Sequence, residues 1–157
     1  MMQTTRNCDL TNKRDYEISC ICKKLIAQQL AQGKKARMKE ISVLAAKCPS
    51  SRFWISEERA QIVIYSWYSH DVYGKPYPPY ADPSRMFSLH VQMFQEVYSR
   101  CKILRQRHPS RPMTSIIASV VNSPAPSFYL TPKTILVYYY AQRKKNASKR
   151  NATYNQQ

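Results

Sequence analysis

The sequence predicts an all-α protein made of two copies of a three-helix unit. Three observations point there: a phrase that recurs at a fixed spacing, helix caps and breakers in the same places in both copies, and a near-absence of glycine. "SRFWISE" at 51–57 and "PSFYLTP" at 126–132 match at an offset of 75, pairing Phe53 with Phe128, Trp54 with Tyr129, Ile55 with Leu130 and Ser56 with Thr131. Extended without a gap over 38–65 and 113–140, the alignment has five identities in 28 positions: Met38/Met113, Ile41/Ile116, Pro49/Pro124, Phe53/Phe128 and Tyr65/Tyr140. Upstream, the same offset pairs Ile18 with Met93, Cys22 with Val97 and Ile26 with Cys101, steps of four that mark one helical face. Only 2 glycines are present, which argues against hairpin-rich folds and phosphate-cradling glycine loops.

The first helix is expected from about Thr11 to Gln32, capped by Thr11 or Asn12 and closed by Gly33. Its copy starts after Asp82-Pro83 and ends before Pro109. The second helix covers about Arg37–Lys47, its copy about Pro112–Val121, and Pro49 and Pro124 stop them. Ser56 and Thr131 then cap the third helices. The segments "AQIVIYSWY" and "TILVYYYAQ" have strand-like composition, so a winged-helix-like α+β unit is the competing architecture. The cap residues and the missing turn signal favour helix. A unit of this size buries little surface alone, so the two copies are expected to close on each other as one pseudo-twofold domain. The aromatic crossings at 53–55 and 128–130 then serve as buried plugs rather than stacking platforms for bases.

This divides the chain into a flexible N-terminus (1–10), a first repeat (11–69), a connector (70–84), a second repeat (85–142) and a basic disordered tail (143–157). The connector holds prolines 76, 78, 79 and 83 and is stiff, with Tyr73, Tyr77 and Tyr80 strapping it down.

Function is read from charge. Lys and Arg number 25 against 9 Asp and Glu, a net charge of +16. Residues 1–75 carry +6 (13 against 7) and 76–157 carry +10 (12 against 2). Such an excess points to a polyanionic partner, nucleic acid before an anionic membrane. No apolar run reaches the ~18–20 residues that span a bilayer, and no sustained Trp/Phe/Leu face suits an interfacial helix. The N-terminus lacks a secretory apolar segment, so a cytoplasmic protein, or one associated with DNA or a virion, is expected.

Chemistry is poorly supported. His70, His90 and His108 are unclustered, and Cys20 and Cys22 point in different directions on a helix, so neither metal nor cofactor is implied. The five cysteines read as free core thiols. "HPSR" at 108–111 has a His-x-x-Arg spacing seen in tyrosine recombinases, but the surrounding residues do not follow that pattern. No small-molecule substrate is indicated.

The expectation is therefore a non-enzymatic, helix-turn-helix-like nucleic-acid-binding protein, DNA before RNA, dominated by phosphate contacts. Its contacts fall on Lys34, Lys35, Arg37 and Lys39 between the first two helices, and on Arg52, Arg59 and Lys133 near the third-helix starts. Arg105, Arg107 and Arg111 follow in the second repeat, and Arg143, Lys144, Lys145, Lys149 and Arg150 in the tail. The alternative is an assembly or adaptor protein of a phage or mobile element, meeting an acidic protein or its own copies in a homo-oligomer.

Overall fold

The computed structural model describes the backbone of residues 2–154 and the side chains of residues 9–150. Among the described residues there are six α-helices and no strand. They are α1 (Met2–Ala31), α2 (Met38–Ala46), α3 (Glu57–Tyr73), α4 (Ser88–Arg107), α5 (Met113–Val121) and α6 (Pro132–Tyr154). Two 3₁₀ turns, Pro79–Ala81 and Pro83–Arg85, lie between α3 and α4. The winged-helix alternative is thereby set aside, since the strand-like segments lie within α3 and α6.

Local signals explain most boundaries. Gly33 takes a left-handed φ of 74° just past α1, and the amide of Lys34 reaches back to the Gln29 carbonyl. Pro49 and Pro124 follow α2 and α5. The Ser56 hydroxyl accepts from the Arg59 amide at 3.1 Å, and Thr131 accepts from the Thr134 amide at 3.2 Å, so both third helices are capped alike. Glu57 and Glu58 sit favourably in the first turn of α3. Gly74, with φ 66°, closes that helix.

Three boundaries differ from expectation. Asp82-Pro83 does not open α4. The Asp82 carboxylate accepts from the Ser84 amide at 2.9 Å and caps a 3₁₀ turn instead, and extended Met86 and Phe87 delay α4 to Ser88. α1 begins at Met2 rather than at a cap near Thr11, so residues 2–10 are helical. α6 runs to Tyr154, through most of the segment expected to be disordered. Seven of its twelve residues within α6 (143–154) are Arg, Lys or Ala, competent helix formers that outnumber the two Asn, and the segment propagates from a helix already capped by Thr131.

The chain folds into two compact units, and they do not follow the repeat boundaries expected from the sequence. The first unit is Met1–Cys48 with Leu130–Gln157, where α1, α2 and α6 pack on one another. The second is Pro49–Tyr129, where α3 packs on α4, α5 and the first 3₁₀ turn, and α4 packs on α5. α6 thus packs with α1 and α2, and α3 with α4 and α5, rather than each with the two helices that precede it in the chain. The order α2, connection, α3 therefore makes no helix-turn-helix pair, because α2 and α3 belong to different units.

In the first unit the buried side chains are Asp15, Ile18, Ser19 and Cys22 of α1, Ile41, Ser42 and Ala45 of α2, and Ile135 and Tyr139 of α6. Arg14 holds Asp15 at 3.2 Å and lays its guanidinium 3.9 Å from the Tyr138 ring centroid, linking α1 to α6. The second unit has the larger core. α3 contributes Ala60, Val63, Ile64 and Trp67, a single helical stripe, while Ile62 and Tyr65 face outward. α4 contributes Met93, Phe94, Val97, Tyr98 and Cys101, and α5 contributes Ile116, Ile117, Val120 and Val121.

The crossing 49–56 enters this core. Ser50 and Ala125 exchange both backbone hydrogen bonds at 2.9 Å, an isolated antiparallel bridge. Phe53 is buried, its ring stacked on Tyr129 at 6.1 Å, and Phe128 is buried too. Neither phenylalanine can serve as a platform for bases. Tyr129 takes a left-handed φ of 54°, which costs roughly 1–2 kcal/mol outside glycine, and a hydrogen bond from its amide to Ser127 Oγ helps hold it.

The connector is strapped differently from expectation. Trp67 Nε1 donates to the Ala81 carbonyl at 2.7 Å, and Tyr77 stacks on His70 at 3.8 Å, but Tyr73 and Tyr80 are exposed.

Candidate nucleic-acid interface

The charge divides unevenly between the units. Residues 1–48 with 130–157 hold 16 Lys/Arg against 4 Asp/Glu, a net +12, while 49–129 hold 9 against 5, a net +4. The sequence halves gave the opposite tilt, because α6 is remote in the chain from the helices it joins.

Helical spacing arranges the cations of the first unit. Along α6, residues 139, 143, 146, 147 and 150 fall on one stripe, and 142, 145 and 149 on a neighbouring one. Each stripe meets α1 and forms a cleft. One cleft, of about 560 Å³, is lined by Ser19, Lys23, Tyr139, Arg143, Asn146, Ala147 and Arg150. The other, of about 460 Å³, is lined by Asn12, Lys13, Tyr16, Gln142, Lys145 and Lys149. Each carries three cations, and no carboxylate lines either one among the described residues. In the second cleft Lys145 Nζ donates to Asn12 Oδ1 at 3.0 Å. Lys23, Arg143 and Arg150 are exposed, and none is paired with a carboxylate or hydrogen-bonded through its side chain among the described residues. Cations ~10 Å apart in water repel by only ~0.4 kcal/mol, so the fold can hold such a cleft charged and unpartnered.

The other sequence-identified cations scatter. Lys34, Lys35, Arg37 and Lys39 are exposed around the turn into α2, and Lys133 is exposed in the first turn of α6. Lys144 is exposed on α6 but lines neither cleft.

In the second unit the arginines are mostly occupied. Arg52 donates from Nε to the Phe53 carbonyl at 3.0 Å and from Nη2 to the Ile55 carbonyl at 2.9 Å. Burial holds its pKa below the ordinary value, with Glu57 opposing that shift. Arg111 donates to Ser115 Oγ and the Ser115 carbonyl, and also to Ser119 Oγ. Arg59 lies 5.9 Å from the Phe94 ring centroid and Arg105 5.1 Å from that of Tyr68. Arg107 is exposed in the last turn of α4. Arg52 and Arg111 are thus fastened into the fold by their own hydrogen bonds.

Sequence reasoning missed Lys13 and Lys23. Their signal was present, since 13 and 16 are a helical step of three apart and 19 and 23 a step of four, but the sequence does not say which face α6 covers.

Among the described residues, no group of three His, Cys, Asp or Glu could hold a metal. The thiols divide. Cys22 and Cys101 are buried, and burial pushes them up to about 11 and about 12, whereas Cys20 is exposed, contrary to the reading of all as core thiols. Cys8 lies outside the described side chains. No helix is long and apolar enough to cross a membrane among the described residues. Comparison with family models, curated proteins and solved structures finds no match to this chain.

Proposed function

We propose that this is a non-enzymatic nucleic-acid-binding protein, DNA before RNA, that grips the phosphate backbone through its first unit. The observation that carries the reading is the +12 concentrated on α1, α2 and α6, with two carboxylate-free cationic clefts along the α1–α6 seam. Point charges on helices recognise phosphate spacing rather than base edges, so affinity exceeds sequence discrimination.

The test is binding of a mixed-sequence DNA duplex across a salt series. Six or more phosphate contacts would lose roughly 10³-fold in affinity between 50 and 200 mM salt. Salt-independent binding, or none at 50 mM, would overturn the proposal. In that case capture of an acidic protein by the nuclease-treated chain would favour the assembly or adaptor reading.

We also infer that the chain is an internal duplication with exchanged third helices. Supporting this, α2 and α5 start at Met38 and Met113 and end at Ala46 and Val121, and α3 and α6 start at Glu57 and Pro132, all 75 apart. Burial repeats at the same offset: Ile18/Met93, Cys22/Val97, Ile41/Ile116, Ala45/Val120, Phe53/Phe128, Ala60/Ile135 and Ile64/Tyr139. Ser50 and Ala125, which bond each other reciprocally, are themselves 75 apart, the pairing a local twofold would produce.

A further inference from the structure

We propose that the cleft holding Lys23, Arg143 and Arg150 is the principal phosphodiester subsite, a rigid rail that takes one strand of a nucleic acid by its backbone without reading bases. The inference rests on the phosphate-binding reading above and goes beyond it in choosing one site among several basic regions.

Four features single out this cleft. Its three cations are exposed and unpartnered among the described residues, whereas Lys145 in the neighbouring cleft is hydrogen-bonded to Asn12. Arg143 and Arg150 lie seven residues apart on one face of a continuous helix, about 10.5 Å along its axis. That span covers about three base-pair steps of 3.4 Å along a strand, so the two arginines can meet two different phosphates of that strand rather than one. Lys23 faces them from α1, which gives the rail two walls. Finally, the only aromatic residue that lines it among the described residues, Tyr139, is 6% exposed, too little to stack a base. Ser19, also in the lining, is buried, and the side chain of Asn146 adds neutral hydrogen-bonding capacity.

The turn at 33–39 is the rival. Lys34, Lys35 and Arg37 are equally exposed, and they are equal in number to the cleft cations. They sit on a turn rather than on one helical stripe, so nothing holds them at a phosphate repeat.

The experiment compares two charge-matched variants of the full chain, Lys23→Gln/Arg143→Gln/Arg150→Gln and Lys34→Gln/Lys35→Gln/Arg37→Gln. Each is titrated with a fluorescent mixed-sequence 20-base-pair duplex over a salt series. The cleft variant is expected to reduce the slope of log affinity against log salt by about 2.7, three contacts at about 0.9 each, and the turn variant by less than about 1. A Lys23→Arg/Arg143→Lys/Arg150→Lys variant should keep the wild-type slope, which separates lost charge from lost fold. Far-UV circular dichroism should match for all four proteins.

Equal losses in the two triple variants would mean that affinity follows net charge, and the subsite would be refuted. A larger loss in the turn variant would move the site to residues 34–37 and refute it too. If the wild type itself fails to bind the duplex at 50 mM salt, the phosphate-binding reading falls and the subsite falls with it. The wild-type titration therefore judges the function, and the comparison of variants judges the site.

Discussion

Cutting the connector separates the exchanged arrangement of helices from its simpler alternative. A protease site placed in the exposed stretch 74–76 would divide the chain into α1–α3 and α4–α6. If each repeat folded on itself, the halves would part as two independent bodies. In the observed arrangement neither unit survives separation, because α6 completes the first and α3 the second. The N-terminal piece would leave Phe53, Ile55, Val63, Ile64 and Trp67 in the second core, and the C-terminal piece would leave Ile135 and Tyr139 in the first. Burying these side chains supplies roughly 10–20 kcal/mol at about 1.5–3 kcal/mol each. Association costs about 4–15 kcal/mol in lost freedom. Mid-range values leave ~6 kcal/mol, a dissociation constant of tens of micromolar. Nicked protein at a few hundred micromolar should therefore elute from gel filtration with the uncut chain and keep its helical circular dichroism. On dilution to about 1 µM the pieces should come apart and lose helix together. Two separate peaks at high concentration, each still helical, would refute the exchange of third helices.

Two further outcomes follow from side chains the fold has committed. Arg52→Lys keeps the charge but loses the paired donation to the Phe53 and Ile55 carbonyls, so stability should fall by about 1.5–3 kcal/mol in urea unfolding while the salt slope of nucleic-acid binding stays put; an altered slope at unchanged stability would place Arg52 in the interface instead. Cys101 is held neutral in the fold up to about 12, above the ordinary thiol value of 9.0, so the unfolded chain ionises first as pH rises and the wild type loses stability through that window. The stability gap between wild type and Cys101→Ala should be constant below pH 9 and shrink above it, and a gap that widens there would contradict the burial.

What the sequence made legible is what neighbours in the chain decide. Ser56, Thr131, Gly33, Pro49 and Pro124 act within a few residues, and each ends or begins a helix near where it was expected. The stripes Ile18–Cys22 and Met93–Val97 likewise showed which faces are buried. Partnership between helices was not legible. The stripe Ala60, Val63, Ile64, Trp67 declares that α3 has a buried side, but the same stripe would suit either repeat's first two helices. The connections 49–56 and 124–131 are long enough to carry the chain to either destination. The site inherited that ambiguity. Arg143 and Arg150 were identified, but as part of a loose arm, because only the position of α1 turns their spacing into a cleft wall and brings Lys23 opposite. The internal hydrogen bonds of Arg52 and Arg111 were not legible either, because their partners are backbone carbonyls and serine hydroxyls that an amino-acid string does not mark as acceptors.

The choice between arginine and lysine follows the same division. In the second unit 7 of the 9 cations are arginine, and five of those, Arg52, Arg59, Arg100, Arg105 and Arg111, lie on carbonyls, hydroxyls or aromatic rings. A planar guanidinium can satisfy several acceptors and stack on a ring at once, which suits a cation used inside a fold. In the first unit 11 of the 16 cations are lysine. An ammonium is a strongly hydrated point charge on a flexible stem, well suited to a phosphate whose position varies. Under the proposed function, the lysine-rich unit would hold a backbone in many registers. Arg143 and Arg150 are the exceptions that face one cleft, and there a more fixed phosphate geometry should be sought.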